Sequence, residues 1–88
     1  MSTPRTEVYQ ALDTEREYQR KWETESVSKG QHSITEFIAY MEDYIGEAKH
    51  ILAREAQQNA YPKVTPLLRK ITALGVAAME QHGAPPRA

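Results

Sequence analysis

The chain contains no cysteine, which excludes disulfide staples, thiolate zinc sites and thiol nucleophiles and leaves the redox compartment unmarked. It has one tryptophan, one phenylalanine and four glycines, and no apolar run long enough to span a bilayer. Nor does one sign of charge dominate: eleven Lys and Arg stand against twelve Asp and Glu, for a formal net charge of -1. That balance lacks the positive field required for non-specific attraction to DNA or RNA, so a nucleic-acid polymer is not an expected partner. The opening Met1-Ser2-Thr3-Pro4 has no basic-then-apolar signal pattern, so the expected location is the cytoplasm, with no membrane partner. What is present is 88 residues, 40% hydrophobic and 26% charged, apolar enough for one folded domain and too short for two cores. A domain of this size buries only about 60% of its unfolded surface, so assembly into a homo-oligomer, dimer or higher, is the expected remedy.

Apolar residues recur at helical spacing throughout, and no alternating strand pattern or internal repeat occurs. Thr3-Pro4 reads as a helix start, with Thr3 as cap acceptor and Pro4 in the first helical position. Val8, Ala11, Leu12, Glu15, Tyr18 and Trp22 then line one face, so the first helix is expected over about 4–23. The polar, glycine-containing segment from Glu25 to His32 reads as a loop. Ser33-Ile34-Thr35-Glu36 matches a capping box. Ile34, Phe37, Ile38, Met41, Ile45, Ala48 and Leu52 form a stripe that Tyr40, Tyr44 and Ile51 widen, an arc broad enough for two neighbours. Pro62 is expected to stop this helix, giving about 33–59, and Thr65-Pro66 to start a third over about 66–82. Ala73, Gly75, Ala77 and Ala78 would let another helix approach closely. The expected fold is one all-α domain over the whole chain, with a long antiparallel helical hairpin, assembling into an oligomeric helical bundle.

Several polar groups could carry chemistry. Glu36, Asp43 and Glu47 share a face of the second helix, with His50 beyond them, and such a face can hold Mg²⁺ through oxygen ligands. The same pattern also describes a solvated flank beside a core stripe. Tyr18 and Trp22 offer flat faces to a nucleobase, and Arg16 and Gln19 beside them offer hydrogen bonds to base or phosphate; equally, Tyr18 and Trp22 are the bulky members of a core stripe. His32 precedes a helix N-terminus, where anions are favoured, and His82 suits a helix C-terminus. Arg69 and Lys70 would oppose the dipole in the first turn of the third helix, a local conflict of the kind found at functional sites; the alternative is an ordinary solvated pair. No Ser, His and Asp constellation and no glycine-rich phosphate loop is readable, so nucleophilic hydrolysis is not supported.

Glu15-Arg16, Gln19, Lys21-Trp22, the loop His32, Glu42-Asp43-Tyr44-Ile45-Gly46-Glu47-Ala48 and the stretch from Leu68 to Glu80 together resemble the small phage and bacterial MazG-like proteins. The resemblance implies an all-α fold similar to nucleoside triphosphate pyrophosphohydrolases, whose paired helices carry Glu-x-x-Glu and Glu-x-x-Asp motifs that hold Mg²⁺ on the substrate's phosphates. This chain departs from that pattern twice. With Gly46-Glu47 placed on the family's Gly-Glu, Tyr44 stands where the first pair requires Glu, beside Asp43. Where the third helix should bring Glu and Asp, the chain has Leu67, Leu68, Arg69 and Lys70. Asp43 and Glu47 alone cannot reproduce a clamp that positions water for in-line attack, whereas Arg and Lys can meet phosphate oxygens without a metal.

Three readings follow. The first is a non-catalytic protein of phage type that binds a nucleotide or nucleotide-derived small molecule through Arg16, Tyr18, Gln19, Trp22, His32, Arg69 and Lys70, with no cofactor. Its implied use is sequestering a nucleotide signal of host defence in the host cytoplasm, with cyclic di- or oligonucleotides, ADP-ribose derivatives and dNTPs all open as ligands. The second is a Mg²⁺-dependent pyrophosphohydrolase using Glu36, Asp43 and Glu47. The third is an interaction module that docks a protein on the wide apolar face of the second helix.

Overall fold

The computed structural model describes residues 2–26 and 29–87. Among them the chain forms three helices and no strand: α1 (Arg5–Glu25), α2 (Ile34–Arg54) and α3 (Gln57–His82). None of these helices is long and apolar enough to cross a membrane. α3 is central: α1 and α2 each pack on it, and among the described residues they do not pack on each other. A trough is therefore left between α1 and α2, with α3 as its floor.

α1 begins one residue later than expected and without the Thr3 cap. Pro4 is the N-cap, its own carbonyl accepting from the amides of Glu7 and Val8. The helix continues to Glu25, two residues beyond the expected end. Val27 and Ser28 of the expected loop lie outside the described residues. Gly30 has φ +76°, and a Cβ there would run into the Glu23 side chain, so the loop's close return to α1 requires glycine at this position. Gln81 then pins the loop to the end of α3: its Nε2 donates to the Gly30 carbonyl at 2.6 Å and its Oε1 accepts from the His32 amide at 3.1 Å.

α2 starts with the expected capping box. Ser33 Oγ accepts from the Glu36 amide at 3.1 Å, and the Glu36 carboxylate accepts from the Ser33 amide at 2.9 Å. The backbone N–H of Ser33 is the main cause holding the Glu36 carboxyl below its ordinary range, with smaller help from the Ser33 side chain and from His32. A depressed carboxyl contributes stability above its unfolded pKa, and that contribution is lost as the pH falls through the folded value. Ser33→Ala removes the side-chain acceptor of the Glu36 amide and is expected to cost about 1 kcal/mol in urea unfolding at neutral pH. Because alanine keeps the backbone N–H that is the main cause of the Glu36 shift, the acid limb of the stability profile should change little.

The hairpin differs from expectation. α2 ends at Arg54, not near Asn59, because Glu55 and Ala56 are both extended. α3 starts at Gln57, so Pro62 and Pro66 lie inside it. Each proline removes one helical hydrogen bond, at a cost of about 3 kcal/mol in an unsupported helix. Here that cost is opposed by the burial of Ala60, Val64 and Leu67 on the same helix, and Gln58, which loses its donor to Pro62, is solvent-exposed and can bond water. Lys63 Nζ closes the turn on Glu55 Oε1 at 2.7 Å. Because α3 begins so early, Arg69 and Lys70 sit in mid-helix, and the expected conflict with the helix dipole does not arise.

The core is small. Its buried apolar members are Phe37, Ala48, Ala60, Val64, Leu67, Ala73 and Ala77, with Tyr44 and Ile51 packed against the Ala48–Val64–Leu67 cluster. The α1 interface is built differently. Arg69, Ala73, Ala77 and Glu80 share one face of α3 by spacing, and the two alanines bring α1 close. The flanking polar groups then meet across the interface: Arg69 Nε donates to Glu15 Oε1 at 2.7 Å, and Arg16 Nη2 pairs with Glu80 Oε1 at 2.7 Å.

Candidate functional site: an aromatic groove between the first two helices

The trough forms an open groove of about 420 Å³. This is within the common range for small-molecule sites. Each wall is aromatic. Tyr18 and Trp22, one turn apart on α1, form the first, their rings 6.3 Å apart in an edge-to-face arrangement. Phe37, Tyr40 and Tyr44 form the second, recurring at three and four residues along α2. Lys70, Leu74 and Ala77 of α3 make the floor, and Ser26, Gly30 and His32 line the loop end.

Helical spacing explains why these rings are available. Trp22 is 60% exposed and Tyr18 55% exposed, because α1 meets α3 through Ala73, Ala77 and the ion pairs on either side. On α2 the core contact uses Phe37 and Ala48, which turns Tyr40 and Tyr44 toward the trough.

Among the described lining residues Lys70 is the single Lys or Arg, and its Nζ lies 5.5 Å from the Tyr44 ring centroid, within cation–π range. A second depression, about 340 Å³ and lined by Thr14, Glu15, Tyr18, Arg69 and Lys70, shares Glu15, Tyr18 and Lys70 with the groove. The aromatic groove thus runs into a cationic end. Arg69 there is part-exposed and partly neutralised by Glu15.

At the loop end the His32 ring stands edge-on to Phe37 at 5.5 Å and Tyr40 at 5.3 Å between centroids. Its Nδ1 is buried without a hydrogen-bond partner, 3.5 Å from Glu36 Oε2. His82 Nε2 lies 2.7 Å from the His32 carbonyl, so the last turn of α3 holds this loop residue in place.

Of the seven expected ligand-binding residues, Tyr18, Gln19, Trp22, His32 and Lys70 come together in the groove, and Arg69 lines the adjoining depression. Arg16 does not join them. Its guanidinium is buried behind the α1 wall, bonded to Glu80 at 2.9 Å and to the groove-lining Gln19 at 2.9 Å and Glu23 at 3.0 Å. Burial disfavours its charged form, but Glu23 and Glu80 more than compensate and raise its pKa. Arg16 is therefore a structural tie between α1 and α3, not a free phosphate ligand.

The three expected metal ligands are not assembled. The Glu36 carboxylate folds back onto Ser33, two turns from Asp43, while Asp43 and Glu47 line a third depression that adjoins the groove through Tyr40, Tyr44 and Leu74. Among the described residues no three His, Asp or Glu side chains come together as metal ligands. Sequence reading missed Glu15, Glu23, Phe37, Tyr40 and Tyr44 as groove residues. The spacing of Phe37, Tyr40 and Tyr44 was the available signal, but it equally describes a core flank. Comparison of the chain with known protein families, curated proteins and solved structures finds no match.

Proposed function

We propose that the groove binds a nucleotide or nucleotide-derived small molecule without hydrolysing it, in a protein that works as a dimer or higher oligomer. The observation that carries this reading is that two depressions share Glu15, Tyr18 and Lys70, which sets the aromatic walls beside Lys70 and Arg69. A base inserted between the Tyr18–Trp22 wall and the Phe37–Tyr40–Tyr44 wall would have aromatic side chains on both sides, and stacking on such rings is tolerant of base identity. A phosphate directed toward Lys70 would exchange a cation–π contact for a stronger charge-assisted hydrogen bond. Glu23 at the loop end would repel phosphate there, and at the Arg69 end a phosphate would compete with Glu15 for Arg69. The resemblance to MazG-like scaffolds, with Arg69 and Lys70 standing where that family carries Glu and Asp, supports phosphate binding by cations in place of turnover. Sequestration of a nucleotide signal of host defence is the role we propose for such a binder.

The single tryptophan makes the test direct. A panel of ATP, dATP, ADP-ribose and cyclic dinucleotides is titrated in EDTA, following Trp22 emission and heat. At least one member is expected to quench Trp22 and bind. Trp22→Ala should weaken that binding by roughly tenfold or more, the usual scale of one stacked base, and Lys70→Ala should weaken it and reduce its salt dependence. Absence of binding across the panel removes the proposal. Release of pyrophosphate from dNTPs in Mg²⁺, abolished by Glu47→Gln, would replace it with the hydrolase reading.

A further inference from the structure

The side of the α2–α3 hairpin away from the groove carries an uncovered apolar face. On α2, Ile34, Ile38, Ile45 and Leu52 recur at steps of four and seven, which sets them along one edge, and each is between 44% and 57% exposed. Tyr40 and Tyr44, which line the groove, lie on the other edge of the same apolar arc. On α3, Tyr61, Leu68 and Met79 share an edge with Gly75 and are about half exposed. A Cβ on Gly75 would sit 3.7 Å from Met41 Cε, so Met41 spans the gap and joins the two stripes.

We infer that this face pairs with the same face of a second copy, the two α2 helices running antiparallel about a two-fold axis near Ile45. Charge selects that occupant and that direction. Glu42 and Lys49 stand at the rim, three residues before and four residues after Ile45, and neither has an ion-pair partner among the described residues. An antiparallel two-fold sets Glu42 opposite the partner's Lys49 and Lys49 opposite the partner's Glu42. A parallel two-fold would leave the two Glu42–Lys49 flanks on opposite sides of the seam, out of reach of each other.

The apolar positions obey the same symmetry. Ile38 and Leu52 lie seven residues either side of Ile45, so each meets the other across the axis while Ile45 meets its own copy. The seven exposed side chains, at roughly 100 Å² each, offer on the order of 700 Å² per protomer, close to the ~800 Å² a standard interface takes from each partner. The product is a four-helix arrangement of two hairpins, with both grooves facing outward. This inference deepens the oligomeric part of the proposed function, does not rest on nucleotide binding, and leaves each groove accessible.

The cysteine-free sequence gives a clean test. Ile45→Cys should form a disulfide-linked dimer under mild oxidation, whereas Glu17→Cys on exposed α1 should not. In sedimentation, Glu42→Lys should weaken the dimer by roughly tenfold at low salt, and adding Lys49→Glu should restore it. Circular dichroism of each variant checks that the helices persist. A wild-type chain that sediments as a monomer at its highest soluble concentration overturns the inference. So does a dimer that cross-links through Glu17→Cys and not through Ile45→Cys, or one that the charge exchange fails to rescue.

Discussion

Phe37→Ala is expected to lower the stability of the folded chain by about 3 kcal/mol, since removing a buried phenylalanine loses its transfer free energy and leaves a cavity. Phe37 is the one phenylalanine and is 2% exposed, the largest side chain among the buried apolar residues. It sits where three parts of the chain meet: the first turns of α2, the His32 ring at 5.5 Å and the His82 ring at 6.3 Å. A domain of this length has a total stability on the order of 5–10 kcal/mol. The substitution therefore removes roughly 30–60% of it and lowers Tm by roughly 12–24 °C. Because the His32 loop is held to α3 beside this ring, hydrogen exchange at the His32 amide should accelerate more than at Ala73 on the α1 side. Phe37→Leu, which keeps most of the volume, should cost less than about 1.5 kcal/mol. Equal losses for the two variants would mean that the ring does not fill this site. Since dimerisation would raise apparent stability, all variants are compared at one protein concentration.

Arg16→Met is the second large expected effect, about 2 kcal/mol. The Arg16 guanidinium is 8% exposed at the residue level and makes three side-chain hydrogen bonds, to Gln19, Glu23 and Glu80. Breaking a fully buried pair typically costs about 3–5 kcal/mol. The smaller figure applies here because Glu80 is 40% and Glu23 25% exposed, so both recover water when the arginine is lost. Arg20 also remains beside Glu80 at 3.1 Å. Arg16→Lys should restore less than half of the loss, since one ammonium cannot reach three acceptors set out for a planar fork. Urea unfolding of Arg16→Met, Glu80→Gln and the double variant gives the coupling energy directly. Additive losses would sink the idea that this pair ties α1 to α3. Nucleotide affinity in Arg16→Lys is a further check: with Arg16 outside the groove, it should remain close to that of the parent chain.

The helices themselves were legible in the sequence because their causes are local. Spacing of three and four residues marked α1 and α2, and Ser33 with Glu36 marked the start of α2 through a bond pattern that closes within four residues. Pro62 and Pro66 misled for a physical reason: proline disfavours a helix by about 3 kcal/mol taken alone, but local preference yields when the surrounding residues bury apolar surface. Nothing near Pro62 in the sequence discloses that Ala60, Val64 and Leu67 have Ala48 and its neighbours to pack on.

The candidate site was legible in composition and not in arrangement. Tyr18, Gln19, Trp22, His32 and Lys70 were identifiable by type, since flat rings and cations are what a nucleotide would require. That Arg16 would be consumed by Glu80, and Arg69 partly by Glu15, depends on partners 64 and 54 residues distant. The helix periods, the capping box, the balanced charge and the breadth of the α2 apolar arc belong to the sequence alone, because each is set by neighbours within a turn or two. Tertiary packing decided that α3 lies in the middle, that α1 and α2 stand apart with their aromatic residues facing a common trough, and which cations remain available. Those outcomes depend on which surfaces compete for burial across the whole chain, a competition that no local window contains.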